Sequence, residues 1–173
     1  MIGDKFKQTL SVPIRTIPWD KGNSYFKRLF RWLLYTRKWE FSEDWYFKLN
    51  NKIWIKIPKG FIFDGASIPK PFRFLLSPTG ILFIPGIIHD YGYRYNKLIG
   101  VKAIPVDDEF LVIEEFSYHP GAGKMFWDRM FRHISYQITG LLLVPNVVYS
   151  AVVLGGAFAW WKRRRQNKKE TLL

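Results

Sequence analysis

Hydrophobic positions along this chain change their period several times, and each change marks an expected element. Residues 8 to 18 read as extended, with Pro13 and Pro18 confining the segment to a sheet edge or a loop. From 24 to 36, Phe26, Leu29, Phe30, Leu33 and Leu34 recur at helical spacing with Lys27, Arg28 and Arg31 opposite, so a basic, aromatic helix is expected there. Its apolar stripe serves either to pack on a core or to dip below lipid head groups. Between Asp44 and Ile57 the pattern alternates about Asn50-Asn51, a hairpin in which asparagine accepts the left-handed backbone of a tight turn. Residues 61 to 68 form a short strand or loop. A helix follows Pro85-Gly86, with Ile88, Tyr91 and Tyr95 on one face and His89 and Tyr93, four apart, on another. Pro105 suits the start of a second helix, 106 to 116, on which Asp107, Phe110 and Leu111 lie within one turn. A third, amphipathic helix runs from 126 to 140.

The C-terminal pattern is different. Ile138 to Trp161 carries no charge, and Lys162, Arg163, Arg164 and Arg165 follow at once. About 20 apolar residues suffice to cross hydrocarbon, and Trp followed by Lys/Arg is how such a span meets head groups. A membrane segment over 138–161 is therefore expected, with Pro145 as a kink and 162–173 as a basic tail. The other reading is a buried core helix, or two short helices broken at Val144-Pro145-Asn146. The elements together predict an α+β fold, mainly helical: an antiparallel helix pair, a small β-hairpin and a C-terminal transmembrane helix.

Composition narrows the partners. The net charge of +13 calls for an anionic partner, either nucleic acid or acidic lipid. The basic residues cluster beside apolar stretches and no nucleic-acid recognition motif is present, which weighs against nucleic acid and for anionic membrane phospholipids. Aromatic residues make up 18% of the chain, enough for an aromatic core or an aromatic membrane-facing surface. There is no cysteine, so disulfides and thiolate metal sites are excluded. The N-terminus has no apolar run of signal-peptide length.

One stretch proposes a chemistry: Phe61-Ile-Phe-Asp64-Gly65-Ala-Ser-Ile-Pro, then Pro85-Gly-Ile-Ile-His89-Asp90-Tyr-Gly-Tyr93-Arg-Tyr-Asn96. Neighbours on a helix point about 100° apart, so His89 and Asp90 can flank one cavity, His89 toward a water and Asp90 toward a cation. The Asp64 carboxylate and the Gly65 carbonyl can reach that same cation, and oxygen donors of this kind suit Ca²⁺. A histidine base needs its second ring nitrogen held by an acceptor. Asp107 is the candidate for that acceptor. Asp108 beside it leaves the choice open, and Phe110 at D-x-x-F spacing favours Asp107.

These strings, with V-D-D-E-F from Val106, resemble a phage and bacterial family catalogued as a domain of unknown function (number 1353). They are also similar to the bacterial and fungal secreted phospholipases A2, over about residues 61 to 116. That likeness implies a phospholipase A2-like domain over 1–137. It makes His89 the base that deprotonates water and Asp107 its orienting partner, with Tyr93 a hydroxyl donor holding Asp107. It makes Asp64, the Gly65 carbonyl and Asp90 the calcium ligands. The implied activity is calcium-dependent hydrolysis of phospholipid esters by a membrane-anchored enzyme at a host or bacterial inner membrane. The chain departs from that family in lacking disulfides, with Ala66 where a half-cystine is expected. The alternative is a non-catalytic phage virion or membrane-associated protein keeping the same scaffold, with a protein partner if it belongs to a virion.

Overall fold

A computed structural model describes residues 5–7, 11–17, 38–63 and 82–170. The expected basic helix near 24–36 lies outside the described residues. The strands are β1 (Lys5–Phe6), β2 (Ile14–Thr16), β3 (Trp39–Phe41), β4 (Trp45–Lys48), β5 (Trp54–Ile57), β6 (Ile62–Phe63), β7 (Leu98–Val106) and β8 (Glu109–Tyr118). The helices are α1 (Phe83–Tyr95), between β6 and β7, and then α2 (Lys124–Thr139) and α3 (Leu143–Glu170) after β8. One sheet has five strands in the order β1-β8-β7-β5-β4, the other three in the order β2-β3-β6, and every pairing is antiparallel. The expectation of a mainly helical fold is overturned by these eight strands in two sheets.

The largest difference is at 106–116, expected as a helix and found as the end of β7, a turn and most of β8. Val106, Val112 and Ile113 favour a pleated surface, and the preceding segment offers a partner along its whole length, from Leu98 opposite Tyr118 to Val106 opposite Glu109. Asp107 and Asp108 make the two-residue turn, with Asp107 in the left-handed region at φ 54°, which aspartate tolerates better than most residues. Pro105 is accommodated because β5 reaches β7 only as far as Val101, leaving an open edge among the described strands. A register shift between Lys102 and Ala103 leaves Ile113 as the extra residue of a bulge. At Gly100 the ring of its cross-strand partner Phe116 occupies the space a side chain would take.

The hairpin about Asn50-Asn51 is β4–β5, with Trp45 opposite Ile57. Its turn is made differently from the expectation: neither asparagine has a positive φ. Instead Asn50 Oδ1 accepts hydrogen bonds from the backbone N–H groups of Lys52 and Ile53, both at 2.9 Å.

Both sheets and two helices contribute to one core. Phe41 and Phe63 from the small sheet, Ile55 and Ile57 from β5, Leu98 from β7, and Trp127 and Ile134 from α2 surround Ile87, Ile88 and Tyr91 of α1. α1 is the central element, buried on nearly all sides.

The expected transmembrane helix over 138–161 is also overturned. α2 ends at Gly140, which is left-handed at φ 65° and donates its N–H to the Tyr136 carbonyl, and α3 starts afresh at Leu143. Pro145 falls in the first turn of α3, where its missing N–H costs nothing. α3 then packs back on the domain, burying Val148 with Phe131 and Leu82 while Val144 and Val152 lie alongside. No helix among the described residues is long and apolar enough to cross a membrane.

α1 and α2 pack tightly at Gly92, where an added Cβ would lie 2.7 Å from two carbons of the Trp127 indole. Trp127 is buried and its Nε1 donates to Asn96 Oδ1, so the ring cannot swing aside. Gly92→Ala is expected to destabilise the fold by about 1–2 kcal/mol, even though alanine gains roughly 1 kcal/mol in helix propensity. Gly100→Ala meets the half-buried Phe116, whose ring is less enclosed than the Trp127 indole, and should cost less. Urea unfolding of the two variants measures the order.

Candidate functional site

Residues three or four apart on a helix share a face, and α1 and α2 use that spacing to aim polar groups at one another. His89 and Tyr93 stand four apart on α1, and Lys124 and Asp128 four apart on α2. The helices run antiparallel, since Gly92 lies against Trp127 while the earlier His89 ring lies 5.5 Å from the later Phe131 ring. The four polar side chains meet at the Asp128 carboxylate. His89 Nε2 lies 3.0 Å from Asp128 Oδ1, and the Tyr93 hydroxyl donates to the same oxygen at 2.5 Å. Lys124 Nζ donates to Oδ2 at 2.6 Å and to the Val153 carbonyl of α3 at 3.1 Å.

Asn96 sets the register between the two helices. It ends α1 in the left-handed region at φ 53°, where its N–H bonds to the Gly92 carbonyl. Its own carbonyl accepts from Gly121 N at 2.8 Å, and its side-chain oxygen accepts from Gly123 N and Trp127 Nε1, each at 3.0 Å. The end of α1 is thereby fastened to the start of α2, and the distance from that junction to His89 and to Asp128 is set by helix geometry. Arg94 turns the other way, donating to the Ile62 carbonyl at 2.9 Å with its guanidinium over the Phe61 ring.

The Asp128 side chain is 0% exposed and that of His89 is 11% exposed. Burial on its own would raise the Asp128 pKa. Hydrogen bonds from His89, Lys124 and Tyr93 outweigh it and hold the carboxyl below its ordinary value. Burial, then the hydrogen bond to Asp128 and the negative fields of Asp128 and Asp90, push Tyr93 far above the ordinary tyrosine range. Tyr93 therefore stays a hydroxyl donor. Because Asp128 is an ionised acceptor, the proton of a neutral His89 sits on Nε2, and Nδ1 carries the lone pair. Tilted against the Tyr93 ring with centroids 4.0 Å apart and edged by Phe131, the imidazole is fixed in orientation.

α3 covers this cluster. A Cβ at Gly156 would lie 2.6 Å from the Tyr93 hydroxyl, so only glycine lets the helix come this near. Trp160 stands edge-on to Tyr93 with centroids 5.1 Å apart.

The structure brings together His89 and Tyr93 of the expected site, and Asp90 is buried on the same helix. Asp107 does not join them. It sits in the exposed turn at the tip of the β7–β8 ribbon, whereas α1 and α2 flank the base of that ribbon. Nine residues of strand at about 3.3 Å each put the tip roughly 30 Å from the base of the ribbon. The helix running antiparallel to α1 is α2, and its Asp128 occupies the place expected for Asp107. A sequence signal for it exists: Asp128-Arg129-Met130-Phe131 is a second D-x-x-F string, on a segment whose apolar period is helical. Lys124 has no comparable signal beyond its i, i+4 relation to Asp128.

Asp64 and Gly65 lie outside the described residues. Among the described residues no group of three or more His, Asp or Glu is placed to hold a metal ion. Both Asp128 oxygens are already taken by donors, and the Lys124 ammonium would repel a second cation beside it. Of the three expected calcium ligands, Asp90 lies among the described residues, where it is buried.

Asp128→Asn leaves Lys124 facing a neutral amide in a largely buried place, and removing one partner of such a pair costs about 3–5 kcal/mol. The folded-state pKa of Asp128 lies below its ordinary 3.8. Its contribution is therefore complete above about pH 4 and lost as pH falls through the lower folded value. Wild type should exceed Asp128→Asn in urea-unfolding stability at pH 7, and the two should converge below pH 4.

No curated protein and no solved structure matches the chain. The family described as Protein of unknown function (DUF1353) matches residues 39–152. That stretch runs from β3 through both helices of the site into α3, and takes in His89, Tyr93, Lys124 and Asp128. With most of its length matched, the chain belongs to the DUF1353 family of proteins of unknown function.

Proposed function

We propose that the protein is a phospholipase A2-like hydrolase of phospholipid carboxylic esters, with His89 as the base and Asp128 as the group that orients it. The observation that carries this reading is the hydrogen bond from His89 Nε2 to a buried carboxylate that also accepts from Tyr93. In the proposed reaction the His89 Nδ1 lone pair takes a proton from water as the water oxygen attacks the ester carbonyl. The tetrahedral intermediate collapses by breaking the bond to the alkoxy oxygen, and the imidazolium returns its proton to that leaving oxygen. The products are a fatty acid and a lysophospholipid. Asp128 supports the imidazolium through Nε2, an effect of order 10²–10⁴ in rate for a positioned acid–base group.

Asp90, with Asp64 and the Gly65 carbonyl, forms the proposed calcium ligand set, and bound calcium would supply positive charge for the developing oxyanion. The net charge of +13 supports an anionic phospholipid surface, at a host or bacterial inner membrane, as the place of action. One observation favours a second reading, a non-catalytic phage virion or membrane-associated protein on the same scaffold. The dyad is almost wholly buried, and Gly156 and Trp160 of α3 close over the Tyr93 that shares its carboxylate.

Fatty-acid release from mixed phospholipid vesicles, with calcium and with a chelator, decides between them. Wild type should release fatty acid with calcium only. His89→Gln should lose about 10³-fold or more, Asp128→Asn about 10²–10⁴-fold, and Asp107→Asn nothing. No release by folded wild type at any calcium concentration rules out the hydrolase and leaves the second reading.

A further inference from the structure

α3 presents two opposite faces. Val144, Val148, Val152, Gly156 and Trp160 point at the domain, toward Phe131, Leu82 and Tyr93. On the far side, Leu143 (75% exposed), Val147, Leu154 (84%) and Trp161 (66%) recur at four- and seven-residue spacing. At 100° per residue these four fall within about 40° of one another and make one apolar stripe roughly 27 Å long. Leu141 and Leu142, also exposed, extend it around the turn from α2. So large an uncovered apolar surface on one helix marks an interaction site.

Charge selects the partner. From Arg129 to Lys169 the chain has no Asp or Glu. The stripe itself is uncharged, is preceded on α2 by Arg129 and Arg132, and ends at Trp161 followed by Lys162, Arg163, Arg164 and Arg165. A second copy would bring this basic surface against itself, which like-charge repulsion opposes. Exposed leucines along one helix face, a tryptophan at the end and arginines beyond it match the requirements of a helix lying in the plane of an anionic bilayer. We infer that the Leu143–Trp161 face of α3 is a peripheral docking surface for anionic phospholipid membranes. α3 lies on the membrane and does not cross it, because its inner face stays on the domain, where Val148 is buried and the Val153 carbonyl is bonded to Lys124. This surface deepens the hydrolase reading, and rests on it for what the protein does once docked: it puts the bilayer against the back of the helix that lies over Tyr93 and Lys124.

The chain has no cysteine, so Leu143→Cys and Leu154→Cys each create a single thiol for an environment-sensitive fluorophore in the full-length protein. Both labels should shift to the blue, and to similar shallow depths by quenching, on adding vesicles of phosphatidylcholine with phosphatidylglycerol. Phosphatidylcholine alone should give far less shift, and a label at Ile104→Cys on the β7–β8 ribbon none. In flotation, the Leu143→Ser, Leu154→Ser double variant should bind about tenfold to a hundredfold more weakly. Both positions are exposed, so its circular dichroism should match wild type. No shift with anionic vesicles overturns the proposal. So does a shift that follows protein concentration without lipid, meaning self-association, and so does a deep label at one position with a shallow one at the other, meaning a span. His89→Gln should dock as wild type does. Docking without fatty-acid release therefore rejects the hydrolase alone, and release that the double serine variant leaves unchanged rejects this surface alone.

Discussion

The Asp128 carboxylate is the constraint on which the arrangement of helices depends. A charge wholly removed from water is tolerated only when its lone pairs are taken by donors, and here they come from two helices. His89 and Tyr93 reach it from α1, and Lys124 from the turn of α2 before it. Lys124 then carries the link onward to the Val153 carbonyl, so the position of α3 is tied to the same anion. A slide of α1 along α2 by one turn, about 5.4 Å, would strand the carboxylate. Apolar packing supplies most of the energy of association, but many registers would pack nearly as well. The buried anion selects one of them, and in that register the imidazole is held in a single tautomer.

The motif His89-Asp-Tyr-Gly-Tyr-Arg-Tyr-Asn96 can be read almost residue by residue in these terms. His89 and Tyr93 meet the anion, and Gly92 lets the Trp127 ring approach. Arg94 fastens the helix to the end of β6 through the Ile62 carbonyl, and Asn96 joins α1 to α2. Its polar members are thus divided between the site and the scaffolding around it. A pattern of this kind is informative about chemistry because a helix interior rarely needs so many specific contacts.

Much of this was legible in the sequence, and the failures have physical causes. The hairpin at 44–57, the helix after Pro85-Gly86 and the amphipathic helix from 126 were plain, because each is specified by a local apolar period. That His89 and Tyr93 adjoin follows from the sequence, because i, i+4 spacing puts them on one helix face. Asp128 was missed in favour of Asp107 because two D-x-x-F strings compete. The choice hung on whether 106–116 is helix or strand, and that is decided by β7, a partner in the sheet, not by the segment itself. The run from 138 to 161 looked like one apolar helix because sequence does not show that Gly140 turns the chain back and that Val148 and Trp160 find a protein surface. Mean apolarity was the same in either case, and only tertiary contacts distinguish one face of α3 from the other.

The fastening at Asn96 has a consequence for the β7–β8 ribbon. The ribbon leaves α1 at Leu98 and returns at Tyr118, and the two ends are cross-strand partners held beside the Asn96 junction. Farther out, β1 pairs with β8 at Phe110 and Leu111 and Phe110 packs on Phe6 and Trp54, so what projects past these contacts is the turn. Residues added between Val106 and Glu109 would lengthen the ribbon while leaving the α1–α2 register as it is. The Asp107-Asp108 turn is therefore a natural handle: a place where a peptide tag or a whole folded domain can be spliced in, as a loop graft, without the α1–α2 pair sensing the cargo.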